Sequence, residues 1–166
     1  FCTATGEAGR VPKKEFAAAL EECCVSLAKQ IAADGEGATK LLEVRVKGAR
    51  REKDAEKIAR AVITSPLVKS AVYGEDPNWG RVVCAAGYSG VEFDIDEMSL
   101  SIGEGESETS LVRKGEITAD LTKAKAAMTG KHVVFTITLE SGKKEATAWG
   151  CDLTEQYVEI NGKYTT

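Results

Sequence analysis

The segment from Ser65 to Arg81, which reads SPLVKSAVYGEDPNWGR, constrains the fold of this chain more than any other stretch. Pro66 and Pro77 each disfavour the helical conformation for the residue that precedes them. Gly74 and Gly80 allow backbone angles that other residues avoid. Because these residues are so closely spaced, the segment is expected to be a defined structural element rather than a generic linker.

Apolar spacing and capping residues predict four helices in the chain. The predicted helices cover residues 12–33, 51–63, 79–86 and 120–128. In the first helix, Phe16, Leu20, Leu27 and Ile31 recur on one side, which is typical of an amphipathic helix. Asn78 is expected near the N-cap of the third helix.

Alternating or β-branched apolar residues predict strands between these helices. The predicted strands cover residues 42–46, 67–73, 91–95, 100–102, 110–114, 133–139, 145–150 and 157–160. The sequence Ser141-Gly142-Lys143 is expected to form a hairpin turn between two of these strands. This order of elements indicates a mixed α+β fold without an internal repeat.

Composition excludes several classes of protein. The chain has 166 residues, of which 43% are hydrophobic and 29% are charged, as in ordinary globular proteins. A net charge of −4 disfavours a nucleic-acid partner. No apolar stretch approaches the roughly 20 residues needed to span a bilayer, so no membrane partner is expected.

The cysteines indicate neither a metal site nor a disulfide framework. The chain has five cysteines and one histidine, His132, which argues against zinc. Cys23 and Cys24 are adjacent and do not form a CxxC unit. Reduced thiols and a cytoplasmic location are therefore expected. Cys84 lies in the apolar sequence VVCAAG and is expected to be buried.

Few residues are candidates for chemistry. Glu36 lies between two glycines at a helix-to-strand junction, where a binding role and a turn role are equally compatible with the sequence. Glu75 and Asp76 could act as an acid–base pair, but beside Pro-Asn they are more typical of a turn. His132 is a lone histidine without a placed nucleophile, which favours a structural role.

Three motifs in order carry a family resemblance. They are DGEGATK at residues 34–40, SPLVK-x-A-x-x-GEDPNWGR at 65–81 and ATAW-x-CDLT at 146–154. Together with the tail at 157–166, they closely resemble the bifunctional ornithine acetyltransferase / N-acetylglutamate synthase family of arginine biosynthesis. The resemblance is collinear from about Phe16 onward, while residues 1–15 carry no recognised motif.

The resemblance implies a fold and an assembly. It implies the C-terminal part of an N-terminal-nucleophile-like α/β sandwich, followed by a small mixed α+β domain. Residues 1–64 would be the trailing helix-strand-helix part of the sandwich. Residues 65–166 would be a C-terminal domain whose tail returns to the active site. The chain would be the C-terminal part of a β chain, working with the remainder of that chain and with an α chain in an α2β2 or larger oligomer.

The resemblance also implies a reaction and site residues. In the family, an N-terminal Thr takes the acetyl group from N-acetylornithine and passes it to glutamate in a ping-pong cycle, and acetyl-CoA is a possible further substrate. Glu36, Asn161 and Thr166 match family positions that contact substrate. The family's nucleophile segment has no counterpart in this sequence, so no catalytic residue, metal or cofactor is expected here, and the chain alone should be inactive.

Two alternatives stay open at this stage. One is a related transferase or hydrolase of the same fold that acts on another N-acyl amino acid. The other is a non-catalytic assembly module in which residues 65–81 and the strand pair at 133–149 hold chains together.

Overall fold

The computed structural model of the chain describes residues 5–7 and 9–163. Three residues of the predicted tail, Tyr164, Thr165 and the predicted site residue Thr166, lie outside this range. In chain order the helices and strands are α1 (Lys13–Ala33), β1 (Leu41–Ala49), α2 (Glu52–Thr64), α3 (Pro66–Tyr73), α4 (Trp79–Gly87), β2 (Ser99–Ile102), a 3-10 turn (Gly105–Ser107), β3 (Thr109–Arg113), β4 (Glu116–Ile117), α5 (Leu121–Met128), β5 (His132–Thr138), β6 (Lys144–Cys151) and α6 (Glu155–Gly162).

The six strands form one sheet in the order β4-β3-β2-β5-β1-β6. Strand β1 runs parallel to β5, with Val44 opposite Phe135, and antiparallel to β6, with Val44 also opposite Ala148. The other pairs, β2 with β5, β2 with β3 and β3 with β4, are antiparallel. The α+β class predicted from the sequence is confirmed.

Helices cover both faces of the sheet beside β1. The alternation of β1 directs Leu42, Val44 and Val46 to the face on which α2 packs, and all three are fully buried. Helices α3 and α4 pack against α2 on this side. Helix α1 lies over the opposite face beside β6, where Lys29 stands 5.5 Å from the centre of the Trp149 ring. The core therefore lies mainly between the sheet and α2.

The predicted boundary between residues 64 and 65 falls between α2 and α3. Strand β1 precedes this boundary, and both of its neighbours, β5 and β6, follow it. One cluster of buried apolar side chains includes residues from both sides. The division into 1–64 and 65–166 stays a prediction.

The predicted strand at 67–73 is wrong, because this segment is helix α3. Pro66 occupies the first helical turn, and the Ser65 hydroxyl accepts a hydrogen bond from the Val68 amide at 3.4 Å. Ser-Pro thus ends α2 and begins the next helix at once. Val68, Ala71 and Val72, at helical spacing, are the buried residues.

The predicted strand at 157–160 is also wrong, because these residues belong to α6. Thr154 caps this helix, its hydroxyl accepting from the Tyr157 amide at 3.2 Å. The apolar residues of α6 do not form a buried stripe, and none of its described side chains is buried. The Thr154 cap favours a helix here, although the short apolar run suggested a strand.

The hairpin predicted at 141–143 does not form, because β1 lies between β5 and β6. The connection instead crosses the end of β1, where the amides of Ser141 and Gly142 donate to the Gly48 carbonyl at 3.1 and 2.7 Å. A side chain at residue 142 would collide with the backbone of Ala49, since its Cβ would lie 2.4 Å from that carbonyl oxygen. Glycine is required there by close approach.

Two further expectations are corrected. Residues 91–95 form no strand, although Val91 and Phe93 pack half-buried against the core. Cys84 is exposed, because Val82, Ala85 and Ala86 supply the inward side of α4. Among the described residues, no helix is long and apolar enough to cross a membrane.

Candidate substrate-binding site

The loop at residues 34–40, here called the DGEGATK loop, connects α1 to β1 and carries Glu36. The exposed Glu36 carboxylate accepts a hydrogen bond from the Asn161 side-chain amide at 2.8 Å. The same Asn161 nitrogen donates to the Tyr157 carbonyl at 3.0 Å, which holds it on α6. Two predicted site residues, 125 positions apart in sequence, are thus in direct contact.

Asp152 anchors the far end of this loop. Its buried carboxylate accepts from the backbone amides of Thr39 at 2.8 Å and Lys40 at 3.1 Å, and from the Thr39 hydroxyl. Three donors converging on one buried carboxylate fix the loop against the end of β6. The sequence contained Asp152 only as part of a family motif, and its anchoring role was not predicted.

Thr154 joins the same loop to α6. Its hydroxyl donates to the Gly37 carbonyl at 2.7 Å and accepts from the Tyr157 amide at 3.2 Å. The residue that caps α6 therefore also holds the loop that carries Glu36 in place. A Thr followed by Glu-Gln is a signal of a helix start that sequence reasoning could have used.

The glycines beside Glu36 permit close packing against the C-terminal segment. Gly37 has φ of +68°, and a Cβ there would lie 2.9 Å from the Tyr157 nitrogen. At Gly35 a Cβ would lie 2.7 Å from the Cys151 sulfur. The close approach that these glycines permit is made to β6 and α6, and it leaves the Glu36 carboxylate exposed.

Lys40 ties the loop to the segment at 65–81. Its ammonium lies 2.7 Å from a Glu75 carboxylate oxygen and also donates to the Met128 carbonyl. Glu75 has φ of +55°, so the residue serves a turn while its side chain forms the ion pair. The Asp76 carboxylate accepts from the Asn78 side-chain amide at 3.0 Å, and Asn78 caps α4 as predicted. The turn interpretation of Glu75 and Asp76 fits these contacts.

A second polar cluster lies under α1. Glu43 is 2% exposed and accepts from Arg45 at 2.7 Å and Trp149 at 2.9 Å. Lys29 and His132 approach the same carboxylate at 3.1 and 3.2 Å. Burial raises the pKa of Glu43, but these hydrogen bonds and the Arg45 charge outweigh it and lower that pKa from 4.5 to about 2. His132 therefore contacts a buried anion, a contact that fits the structural role expected of it.

The site can bind a cation but shows no nucleophile of its own. An exposed carboxylate beside an amide oxygen is suited to an ammonium group. Two hydroxyls that contact the loop, those of Thr39 and Thr154, donate to Asp152 and to the Gly37 carbonyl, so both serve structure. Within residues 5–7 and 9–163, no group of three or more metal-ligating side chains is assembled.

Comparison with known proteins identifies relatives of the chain. Residues 1–166 match the ArgJ family. The glutamate N-acetyltransferase of Methanosarcina mazei is 48% identical over 170 residues, covering 99% of this chain and 43% of the relative. The arginine biosynthesis bifunctional protein ArgJ of Symbiobacterium thermophilum is 54% identical over 159 residues, covering 95% of this chain and 39% of the relative.

A solved structure has the same fold. The crystal structure of the arginine biosynthesis bifunctional protein ArgJ from Bacillus halodurans superposes with a TM-score of 0.89 at 40% identity, covering 97% of this chain and 78% of that one. The chain spans about two-fifths of the length of the curated relatives it matches. Family match, sequence identity and fold agree, and the chain belongs to the ArgJ family.

Proposed function

We propose that this chain forms one wall of the substrate site of an acetyltransferase that moves the acetyl group of N2-acetylornithine to glutamate. The contact between Glu36 and Asn161 is the observation that carries the proposal. The names of the relatives, glutamate N-acetyltransferase and arginine biosynthesis bifunctional protein, support the reaction class.

The site accounts for recognition of an amino-acid substrate. Both substrates carry an ammonium or amine and a carboxylate. Glu36 pairs with the positive group, while the Asn161 side-chain oxygen accepts a further hydrogen bond from it. Thr166, which the resemblance implies as a third contact, remains part of the proposal.

The chemical step uses a threonine outside this chain. Its hydroxyl attacks the acetyl carbonyl, an ester C–O bond forms, the amide C–N bond breaks, and the proton passes to the leaving ornithine amine. The glutamate amine then attacks the ester, so that N-acetylglutamate forms and the threonine hydroxyl regains its proton. The α chain and the remainder of the β chain complete the site in an α2β2 or larger assembly. Acetyl-CoA is a candidate second acetyl donor.

Glu36→Gln, in this chain assembled with the remainder of the ArgJ polypeptide, tests the proposal. The Gln side-chain oxygen can still accept from Asn161, so the fold is retained while the negative charge is lost. Loss of a charged hydrogen bond corresponds to about 2–3 kcal/mol, so we expect kcat/KM for N-acetylornithine to fall about 30- to 150-fold. Steady-state acetyl transfer to glutamate measures it.

Glu92→Gln is the matched control, since Glu92 is an exposed carboxylate on the loop that follows α4. It should leave kcat/KM within about twofold of the original. If Glu36→Gln transfers acetyl as fast as this control, Glu36 serves only the turn and the assigned site is wrong.

A further inference from the structure

The two edges of the sheet differ sharply. Strand β4, at one edge, has two residues, whereas β6, at the other, has eight. Among the strands that the structure describes, β6 pairs only with β1. The outward backbone groups of β6 form a row long enough to pair with another strand.

A groove runs along this long edge between two helices. It has a volume of about 800 Å³ and is lined by Val25 and Ala28 of α1, Ile63 of α2, and Ala146 and Ala148 of β6, among others. A second cleft of about 600 Å³ continues it past Ile31. Helices that overhang both sides of an open edge leave room for one extended segment between them.

Helix α1 presents an apolar side that residues 5–7 and 9–163 do not cover. None of its 21 residues is buried. Ile31, which lines the second cleft, is 76% exposed, and Leu27 beside it is 57% exposed. Large apolar side chains exposed together on one helix mark an interaction site.

The rim of the groove is acidic. Glu21, Glu52, Glu56 and Glu145 line it together with one arginine, Arg60. Arg60 pairs with Glu56 at 2.9 Å, which leaves the remaining carboxylates to set the charge. A segment with Lys or Arg beside its apolar residues complements this rim.

The groove leads to the candidate site. The second cleft reaches Gly35 and Cys151, the two residues that pack together next to Glu36. A strand seated along β6 therefore has one end beside the Glu36–Asn161 pair. The surface that binds the segment and the wall that binds substrate are continuous.

We propose that β6 accepts a seventh strand, an extended apolar and basic segment from the part of the ArgJ polypeptide that lies outside this chain. The curated relatives are more than twice as long as the region matched here, so they contain chain that could fill the groove. The choice of partner rests on the proposed function. The strand extends the sheet at its β6 edge and brings the partner polypeptide to the proposed substrate site.

The test uses the part of the Methanosarcina mazei glutamate N-acetyltransferase outside the matched region, co-expressed with this chain and purified by a tag on the chain. Ile31→Glu places a charge in the second cleft, at the end of the groove, and should reduce co-purification at least tenfold. Ile117→Glu is the matched control, since Ile117 is 61% exposed at the opposite edge of the sheet. It should leave binding within twofold.

Hydrogen exchange reports the strand itself. Amides within residues 144–151 that are open in the isolated chain should exchange at least tenfold more slowly in the complex. Raising salt should weaken the complex because the rim is charged. Equal binding by the two variants, or unchanged exchange in 144–151, would overturn the proposal. The proposal would also be overturned if the chain alone dimerised and Ile31→Glu abolished that dimer, because the groove would then hold a second copy of this chain.

These readouts are independent of acetyl transfer. Glu36→Gln should bind the partner as the unmodified chain does, since its side chain lies on the DGEGATK loop and does not line the groove. Retained binding with normal acetyl transfer in that variant would contradict the proposed function while leaving the seventh strand supported. If only Ile31→Glu loses binding of the partner, the seventh strand is supported, whichever reaction the assembly catalyses.

Discussion

At the scale of single residues, two buried carboxylates organise this protein in different ways. Asp152 accepts hydrogen bonds from two loop amides and a hydroxyl, and so determines the path of the DGEGATK loop. Glu43 receives side chains from α1, β1, β5 and β6, with Lys29, Arg45, His132 and Trp149 all facing it. A buried charge surrounded by donors stabilises the fold only while it remains ionised.

Protonation of Glu43 should therefore destabilise the chain in acid. Its pKa of about 2 when folded lies below its ordinary 4.5, so its contribution is complete above about pH 4.5 and is lost as the pH falls toward 2. Between pH 6 and pH 3 we expect the free energy of unfolding to fall by about 2 kcal/mol from this group. Urea unfolding of the original chain and of Glu43→Gln at both pH values measures it.

The glutamine variant is the reference because it cannot titrate. At pH 6 it should be the less stable of the two, since Arg45 and Lys29 lose their buried partner. At pH 3 the difference in free energy of unfolding between the two chains should be smaller by about 2 kcal/mol. Glu43 of the unfolded original chain binds a proton at this pH, which lowers the stability of the original chain but not that of the variant. A deficit that is the same at both pH values would show that Glu43 does not titrate in this range.

At the scale of helices and strands, α6 is the element on which the candidate site most depends. It is short, none of its described side chains is buried, and it is held through Thr154. Asn161 stands on its last turn, so any fraying of α6 separates Asn161 from Glu36. A helix of eight residues has little stability of its own and relies on such an anchor.

Thr154→Val should detach this helix. The valine keeps the shape but loses the hydrogen bonds to the Gly37 carbonyl and from the Tyr157 amide, which should lower the free energy of unfolding by about 1–2 kcal/mol. Thr154→Ser keeps the hydroxyl and should lose less than about 0.5 kcal/mol. Urea unfolding gives both values, and amide exchange in 155–162 shows whether α6 opens first. Equal stability of the two variants would mean that the cap is unimportant.

Whether a helix or strand could be predicted from the sequence depended on the length of its apolar pattern and on its capping residues. Strands β1 and β5 and helices α1 and α2 follow from long apolar patterns, and the short helix α5 follows from its capping residues. Helices α3 and α6 were mistaken for strands because their apolar runs are short, and only the Ser65 and Thr154 caps distinguish the two structures. Glu36 and Asn161 came from the family resemblance, whereas Asp152 and Thr154 act through contacts between segments over 110 residues apart.

The insertion of β1 between β5 and β6 could not be predicted from local pattern. The short connection at 139–143 suggests a hairpin, yet it passes over Gly48 instead of turning back. Parallel pairing of β1 with β5 depends on the whole sheet, since no short connection joins them. Topology of this kind is decided by which apolar faces are buried together.

At the scale of the whole molecule, apolar side chains serve two different purposes. Those on β5 and on the α2 side of β1 form the core, and Phe135 is the largest of the fully buried side chains. Those on α1 are exposed and contribute little to the stability of this chain alone. The folded core and the proposed docking surface should therefore respond separately to mutation.

Phe135→Ala and Phe16→Ala test this separation with the same chemical change. Removing the buried ring of Phe135 leaves a cavity in the central strand and should cost about 3–5 kcal/mol. Removing the exposed ring of Phe16 should change the free energy of unfolding by less than about 0.5 kcal/mol. Urea unfolding of the isolated chain measures both. A large loss from Phe16→Ala would show that α1 belongs to the core.

The position of β1 in the sheet has a consequence for synthesis of the chain. Both neighbours of β1 follow it by more than 80 residues, so a growing chain on the ribosome carries β1 without β5 until residue 138 has emerged and without β6 until residue 151 has emerged. Asp152, Thr154 and Asn161, which shape the DGEGATK loop, appear later still. A chain that stops before β5 therefore lacks both neighbours of β1 and the contacts that shape the loop, and its unpaired β1 is a target for proteolysis and aggregation. The contact between Glu36 and Asn161 can therefore form only after nearly all of residues 1–161 have been synthesised.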